Sequence, residues 1–144
     1  MTVVTPWARH YQHIWEERAA DPKLPNWLRV AALAYGRHSA NGHAVIGRGR
    51  IALVLANVDT VTGEVTPLDR GSVQRAIRTA VKYGWLAPES NSACLVVPGH
   101  AISGGLGRPR ASCPQHNKPR NVGAQRLHLV HESGVNSARN VGAQ

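Results

Sequence analysis

The segment SVQRAIRTAVKYGWL, residues 72–86, carries the side chains with the clearest capacity for binding chemistry. Its apolar residues recur at helical spacing, which predicts an amphipathic helix that stops at Gly84. The polar side of that helix would present Gln74, Arg75, Arg78, Thr79 and Lys82. Guanidinium and ammonium groups held this way donate hydrogen bonds to anions, although an ordinary solvated helix face can look the same.

A second group of residues has the side-chain types that zinc accepts. Cys-x-x-His at 113–116 is turn-like and has a familiar ligand spacing, and His-x-x-His follows at 128–131. Cys94 and His100 could replace two of these ligands, which shows how unspecific the set is. The sequence therefore predicts no cofactor. Zinc is the less favoured alternative, with the ligands Cys113, His116, His128 and His131.

Residues that could catalyse a reaction are not grouped in the chain. There is no phosphate loop, no nucleophile elbow and no HExxH pair, and the few carboxylates do not form an acid and base pair. GGLG at 104–107 is too short for a dinucleotide fingerprint and lacks its strand-to-helix context. We predict that the protein is not an enzyme.

The charge balance favours a polyanionic partner. Lys and Arg number 17 against 8 Asp and Glu, for a formal charge of +9. Nucleic acid is the first candidate and an anionic membrane surface the second, while a solvated basic surface without a partner is the plain alternative. No apolar run approaches the roughly 18 to 20 residues of a membrane span, and two cysteines are too few for a disulfide framework. We therefore expect a cytoplasmic protein that does not bind membranes, although one bridge between Cys94 and Cys113 stays open.

The elements that would position these residues are mainly helical. Thr5-Pro6 can start a first helix with Trp7, Tyr11 and Trp15 on one stripe, and residues 27–38 form a second. Short strands are expected at 43–46 and on either side of the turn PESNS, and residues 51–58 favour a helix. The expected class is mainly α with a small β hairpin (α+β). From Gly99 onward the chain is rich in Gly, Pro, Ser and Arg, which predicts a basic, largely irregular tail.

Helix, short strand, helix, turn, helix and hairpin is an order that resembles the winged helix-turn-helix family. In particular the chain is similar to small helix-turn-helix proteins of actinobacteria and their phages. The residues that carry the likeness are WLRVAALAYGRHSANGHAVI, IALVLANVD with TGEV, SVQRAIRTAVKYGWL, and ACLVVPGHAI. The resemblance implies a winged helix-turn-helix domain over 24–98, with an N-terminal helix over 1–23 packing on the core or on a partner and a flexible tail over 99–144.

The resemblance also implies where DNA would bind. The recognition helix would be residues 68–83, lying in the major groove, and the wing would span about 85–97. Arg is the best bidentate donor to guanine edges and Gln can pair with adenine. The predicted DNA contacts are Arg70, Gln74, Arg75, Arg78, Thr79, Lys82, Arg48, Arg50, Asn91 and Ser92. The predicted phosphate contacts of the tail are Arg108, Arg110, Lys118 and Arg120.

Two functions of different classes follow. The first is a sequence-specific double-stranded DNA-binding protein, either a small transcriptional regulator of phage or actinobacterial origin or an accessory factor in phage replication or excision. The second is a protein–protein adaptor on the same fold, with Trp7, Tyr11 and Trp15 facing a second copy of the chain or a host or phage protein. The plain alternative to this second function is that the three aromatic side chains cap the core.

Overall fold

The computed structural model describes residues 6–116, which form a mixed α and β fold. The helices are α1 (Gln12–Ala20), α2 (Asn26–Arg37), α3 (Arg50–Val54) and α4 (Arg70–Lys82). The strands are β1 (His43–Val45), β2 (Asn57–Val58), β3 (Val65–Thr66) and β4 (Cys94–Val96), and a 3₁₀ turn follows at Gly99–Ala101. The expected combination of helices with a small antiparallel sheet is therefore confirmed. Within residues 6–116, every helix is too short or too polar to cross a membrane.

The core lies where α2 packs against α4. The apolar stripe predicted for the opening segment is buried, since Val73, Ala76, Ile77 and Ala80 all face the interior. α2 meets it with a row of mostly small side chains at positions 30–34. Small residues let helix axes approach closely, and burying the stripe supplies the hydrophobic free energy that holds α4 in place.

Both ends of α4 are defined by specific hydrogen bonds. The Asp69 carboxylate caps the first turn by accepting the Ser72 backbone N–H at 2.9 Å. At the other end Gly84 has φ +79°, and its N–H donates to Val81 O at 3.0 Å while Trp85 N–H donates to Ala80 O at 2.9 Å. This paired arrangement is a Schellman motif, which requires a residue tolerant of the left-handed region.

α1 begins later than the sequence suggests. The expected start at Thr5-Pro6 is wrong for the described part, because residues 6–11 are not helical and α1 begins at Gln12. Trp7 and Tyr11 are 73% and 78% exposed, so the described part of the chain offers the front of the predicted stripe no surface to pack on. An amphipathic pattern without a partner surface does not stabilise a short helix in water.

From Gln12 onward α1 lies directly on α2. The Gln12 amide donates to the carbonyls of Tyr35 and His38 at 3.3 and 3.1 Å, and Glu16 pairs with Arg37 at 2.6 Å. The helices are close enough that a Cβ on Gly36 would lie 2.7 Å from the Glu16 side chain. α1 is thus part of the folded core.

A chain of aromatic rings replaces the phenylalanine packing that this composition lacks. Trp15 of α1 lies 5.3 Å from Tyr35 of α2, which lies 5.9 Å from Trp85. Trp85 in turn lies 6.1 Å from Trp27, and Trp27 meets Tyr83 edge-on at 4.9 Å. These tilted and edge-to-face contacts bind α1, α2 and the end of α4 together.

One arginine is buried among the helix ends. Arg29 is 5% exposed, and its Nε and Nη2 donate to Ala19 O and Val54 O, both at 2.9 Å. Those carbonyls belong to the last turns of α1 and α3, where backbone acceptors have no partner inside the helix. Arg29 therefore completes two helix C-termini at once. Burial lowers the pKa of Arg29, and the nearby charge of Asp21 opposes that shift.

The strands pair differently from the expected hairpin. β4 pairs antiparallel with β1, with His43 opposite Val96 and Val45 opposite Cys94. Residues 85–87 approach β4 through one backbone bond, from Ala87 N–H to Val96 O at 2.8 Å, and form no regular strand. The helix expected over 51–58 ends at Val54, because residues 57 and 58 leave it to form β2, which pairs with β3.

The flexible tail expected from residue 99 is wrong for residues 99–116. Ala40 N–H donates to Leu106 O at 2.7 Å, and the Asn41 side chain donates to Ala111 O at 3.0 Å. Gly105, at φ +116°, approaches so closely that a Cβ there would lie 3.0 Å from Ala40 N. Cys113 is buried. The folded unit therefore extends past the expected boundary at 98, and residues 117–144 of the predicted tail lie outside the described residues.

Candidate functional site

The polar side of α4 is an exposed cationic surface, formed by Arg75, Arg78 and Lys82. Gln74 and Thr79 flank it and are half-buried, and α4 contains no acidic residue. Among residues 6–116, no carboxylate lies within ion-pairing distance of the three cations. Their charge is therefore directed at solvent.

A network at the start of α4 holds Arg75 in place. Its Nη2 donates to Ser72 Oγ at 2.7 Å, and Ser72 Oγ donates to Asp69 Oδ1 at 2.6 Å. Hydrogen bonds from the Ser72 side chain and backbone lower the pKa of Asp69, and the charge of Arg75 adds to the effect. This places a guanidinium beside the N-terminal turn of α4, and Arg70, the first residue of that turn, is also exposed.

The connection between α3 and α4 departs from the resemblance. It spans residues 55–69 and contains the β2–β3 hairpin, whereas helix-turn-helix motifs use a turn of about 3 to 4 residues. The two helices are nevertheless tied together, because Leu68 N–H donates to Ala52 O at 3.0 Å. Arg48 and Arg50 are exposed at the start of α3, where glycines 47 and 49 have φ values of 88° and 77°.

The predicted wing residues serve mainly to shape their own loop. Asn91 Oδ1 accepts the backbone N–H groups of Ala93 and Cys94 at 2.9 and 3.0 Å, so this oxygen is not free for a ligand. Ser92 is half-buried. Arg108 and Arg110 are exposed on the segment that follows β4. Lys118 and Arg120 lie outside the described residues.

Four zinc-type ligands come together beside β1 and β4. His43, Cys94, Cys113 and His116 place one ligand atom each within 4.8 Å of all the others, and we call this group the His/Cys cluster. It corrects the predicted set, since Cys113 and His116 are joined by Cys94 and His43. The other two predicted ligands, at 128 and 131, lie outside the described residues.

The cluster is compact and its two thiols are buried. Cys94 Sγ lies 3.7 Å from Cys113 Sγ and 3.6 Å from His43 Nδ1, and His116 Nδ1 lies 3.4 Å from Cys113 Sγ. Cys94 is fully buried and Cys113 is 4% exposed. His43 and His116 are half-buried, with their rings edge-on at 4.7 Å.

The surroundings shift the pKa values of the two thiols in opposite directions. Burial raises the pKa of Cys94 to about 12, and the hydrogen bond with Cys113 acts in the same direction. Burial also acts to raise the pKa of Cys113, but hydrogen bonds from the His116 side chain and backbone outweigh it, so that this pKa is lowered. Burial acts to lower the pKa of His116, and the hydrogen bond with Cys113 reverses this, so that the pKa is raised. The hydrogen bond between Cys113 and His116 thus shifts the pKa values of the two groups in opposite directions.

Two residues with important contacts, His43 and Arg29, are not predicted as functional or structural residues from the sequence. His43 joins the cluster only through the pairing of β1 with β4, which brings residues 43 and 94 together. The sequence feature that agrees with this contact is a histidine at the start of one predicted short strand and a cysteine in another. Arg29 lies between apolar residues of α2, where a buried cation is not expected from periodicity.

Comparison with known proteins gives no relative for this chain. No protein-family model, no curated protein and no solved structure matches it. Within residues 6–116, the two candidate functional sites are therefore the cationic side of α4 and the His/Cys cluster.

Proposed function

We propose that this protein binds double-stranded DNA through the cationic side of α4. Its role would be that of a small sequence-specific transcriptional regulator, or of an accessory factor in phage replication or excision. The observation that carries the proposal is the exposure of Arg75, Arg78 and Lys82 opposite the buried stripe of the same helix. Such a helix can offer all three cations to one ligand without disturbing the core.

The dimensions of α4 suit a DNA groove. At about 1.5 Å per residue a helix of its 13 residues is about 20 Å long, and a helix with side chains is about 10–12 Å across. The major groove of B-form DNA is about 12 Å wide and admits one such helix. Gln74, Arg75 and Arg78 have the donors for base edges, and Lys82 suits a phosphate.

The order of elements supports a winged-helix frame for this interaction. α2, β1, α3, α4 and β4 keep the order expected for that family, although β2 and β3 lie between α3 and α4, and β4 pairs with β1 in place of the expected hairpin. The loop before β4 carries Glu89 and no cation, so we assign the backbone contacts to α4, with Arg48 and Arg50 at the start of α3. The long connection between α3 and α4 is a variation that leaves the exposed side of α4 open.

The test is a selection from random duplex DNA with the full chain, followed by titrations on the selected site and on a scrambled one. Arg75→Ala and Arg78→Ala should each reduce the preference for the selected site by about 5- to 150-fold, the worth of one bidentate contact. Lys82→Ala should weaken binding to both duplexes equally and make the slope of log K against log salt shallower by about 0.9. The matched control is Lys23→Ala, which removes one exposed charge that does not belong to α4.

Three results would contradict the proposal. One is the absence of any enriched site together with no DNA retardation at low salt. Another is an Arg75→Ala, Arg78→Ala double variant that keeps the wild-type preference for the selected duplex. A change in the Lys23→Ala control as large as that in the α4 variants would show that total charge, and not α4, controls binding.

A protein–protein adaptor is a second candidate, favoured by the exposure of the N-terminal aromatic residues. Trp15 packs on Tyr35, but Trp7 and Tyr11 have most of their surface in solvent. Large aromatic side chains are enriched where proteins meet. Recovery of a stoichiometric protein partner that Trp7→Ala abolishes, without DNA retardation by the wild type, would favour the adaptor.

A further inference from the structure

We propose that His43, Cys94, Cys113 and His116 bind one zinc ion, and that this ion fastens the segment after β4 to the small sheet. The proposal concerns a structural metal site and stands apart from DNA binding. It rests on the geometry of the cluster, the orientation of His116 and the way residues 103–116 are held.

Three of the six distances between ligand atoms in the cluster match those of a tetrahedral zinc site. With Zn–S bonds of about 2.3 Å and Zn–N bonds of about 2.0 to 2.1 Å, the edges of the tetrahedron are about 3.8 Å for two sulfurs and about 3.6 Å for a sulfur and a nitrogen. The corresponding distances are 3.7 Å between the two Sγ atoms, 3.6 Å from Cys94 Sγ to His43 Nδ1 and 3.4 Å from Cys113 Sγ to His116 Nδ1. The remaining pairs of ligand atoms lie within 4.8 Å of each other, so one ion can bind all four atoms once their side chains move closer together.

His116 is oriented as metal-bound histidines are. Its Nδ1 faces Cys113 Sγ, while its Nε2 lies 2.7 Å from the carbonyl oxygen of Glu89. If Nε2–H donates to that carbonyl, the lone pair of Nδ1 is left for the metal. A backbone acceptor on the second ring nitrogen is the usual outer contact that fixes the tautomer of a histidine ligand.

The ligand set selects the metal and its role. Two thiolates and two imidazoles suit zinc, whereas calcium and magnesium prefer oxygen ligands. Four protein ligands fill a tetrahedral site and leave no position for a substrate, which is the pattern of structural zinc. A disulfide is a different product of the same two thiols, but their sulfurs are 3.7 Å apart, against about 2.05 Å in a bond.

The segment after β4 has few other attachments. Residues 103–110 are all exposed, and the backbone bond from Ala40 to Leu106 and the side-chain bond from Asn41 to Ala111 are its main polar links to the core. Among residues 6–116, apolar packing around Cys113 is limited to Cys94, Val96 and Ala87. Ordering an irregular segment costs conformational entropy at every residue. A metal ion bound by Cys94 of β4 and by Cys113 and His116 at the end of the segment offsets that cost.

The experiment uses the untagged full chain, purified under reducing conditions without chelators and supplied with zinc. Elemental analysis should give one zinc per chain. Cys94→Ser and Cys113→Ser should each lose it, and His43→Ala should weaken its retention. The matched control is His100→Ala, which changes an exposed histidine outside the cluster and should keep one zinc per chain.

A second measurement keeps the test independent of whether the variants fold. Cobalt(II) added to the metal-free wild type should produce the visible bands of a tetrahedral site and the near-ultraviolet bands of thiolate ligation, and one equivalent of zinc should abolish both. Zinc should also protect the two cysteines of the wild type from a thiol reagent, with protection lost on adding a chelator.

Several results would overturn the assignment. These are substoichiometric zinc in the reconstituted wild type, a stoichiometric metal other than zinc, zinc retained by Cys94→Ser, or an octahedral cobalt spectrum. A mass two hydrogens lower under native conditions would instead assign the cysteines to a disulfide. None of these measurements involves DNA, so failure of the zinc site and failure of the DNA-binding proposal can be told apart.

Discussion

Arg29 gives a stability prediction whose size follows from two hydrogen bonds. Replacing it with Met keeps most of the side-chain volume but leaves the carbonyls of Ala19 and Val54 without the donors that now lie 2.9 Å away. A buried acceptor left unpaired costs about 1 to 3 kcal/mol. Removing the guanidinium also removes its own cost of burial, which the lowered pKa of Arg29 reflects. We therefore expect a loss of about 2 to 4 kcal/mol, toward the lower half of the sum for two carbonyls.

The assay is urea unfolding of the full chain, followed by tryptophan fluorescence. Arg29→Lys should lose nearly as much as Arg29→Met, because a single ammonium cannot span the two carbonyls that the planar guanidinium joins. Lys23→Met is the control and should change the free energy of unfolding by less than about 0.5 kcal/mol, as for an ordinary surface position. A loss of that small size in Arg29→Met would refute the claim that Arg29 completes the ends of α1 and α3.

Two further predictions concern the ends of α4. Gly84→Ala should destabilise the protein by about 1 to 2 kcal/mol, because φ is +79° there. An added Cβ at residue 84 has open space, so backbone strain is the whole cost. The control is Gly99→Ala, which also has open space but no positive φ and should be close to neutral in the same thermal melt. Hydrogen bonds from Ser72 lower the pKa of Asp69 in the folded state. The ionised Asp69 carboxylate therefore stabilises the folded protein at pH values above its unfolded-state pKa, and this stabilisation is lost as the pH falls through the folded-state pKa. The difference in melting temperature between wild type and Asp69→Ala should therefore be constant above about pH 5 and shrink below about pH 4, and a difference independent of pH would contradict the role of the carboxylate.

The parts of the fold that periodicity predicts well are those in which a stripe has a surface to bury against. α2 and α4 follow their apolar patterns, and α4 ends at the predicted glycine. The aromatic spacing from Trp7 predicts a helix start near residue 6, yet α1 begins at Gln12, where contact with α2 begins. The spacing of apolar residues describes the surface of one helix only. Whether another surface lies against it depends on the tertiary structure.

The same limit applies to the candidate sites. The cationic side of α4 could be read from residues three and four apart, because all of it lies on one helix. The His/Cys cluster joins β1, β4 and the segment after it, and its membership depends on strand register. The sequence predicts the local pair Cys113 and His116, with His128 and His131 as the favoured partners and Cys94 only as a substitute. The partners are instead earlier residues, which no local spacing rule connects.

The pairing of β1 with β4 also affects the order in which the chain can assemble. Opposite residues in this ladder are His43 and Val96, so the small sheet cannot close until residues far along the chain have been synthesised. At about 5–20 residues per second on the ribosome, β1 waits for several seconds with an unpaired edge. Contacts of such sequence separation slow folding, since the intervening loop must lose its freedom first. The helical pair α1–α2 is complete long before that, and we expect it to be the earliest native structure in the nascent protein.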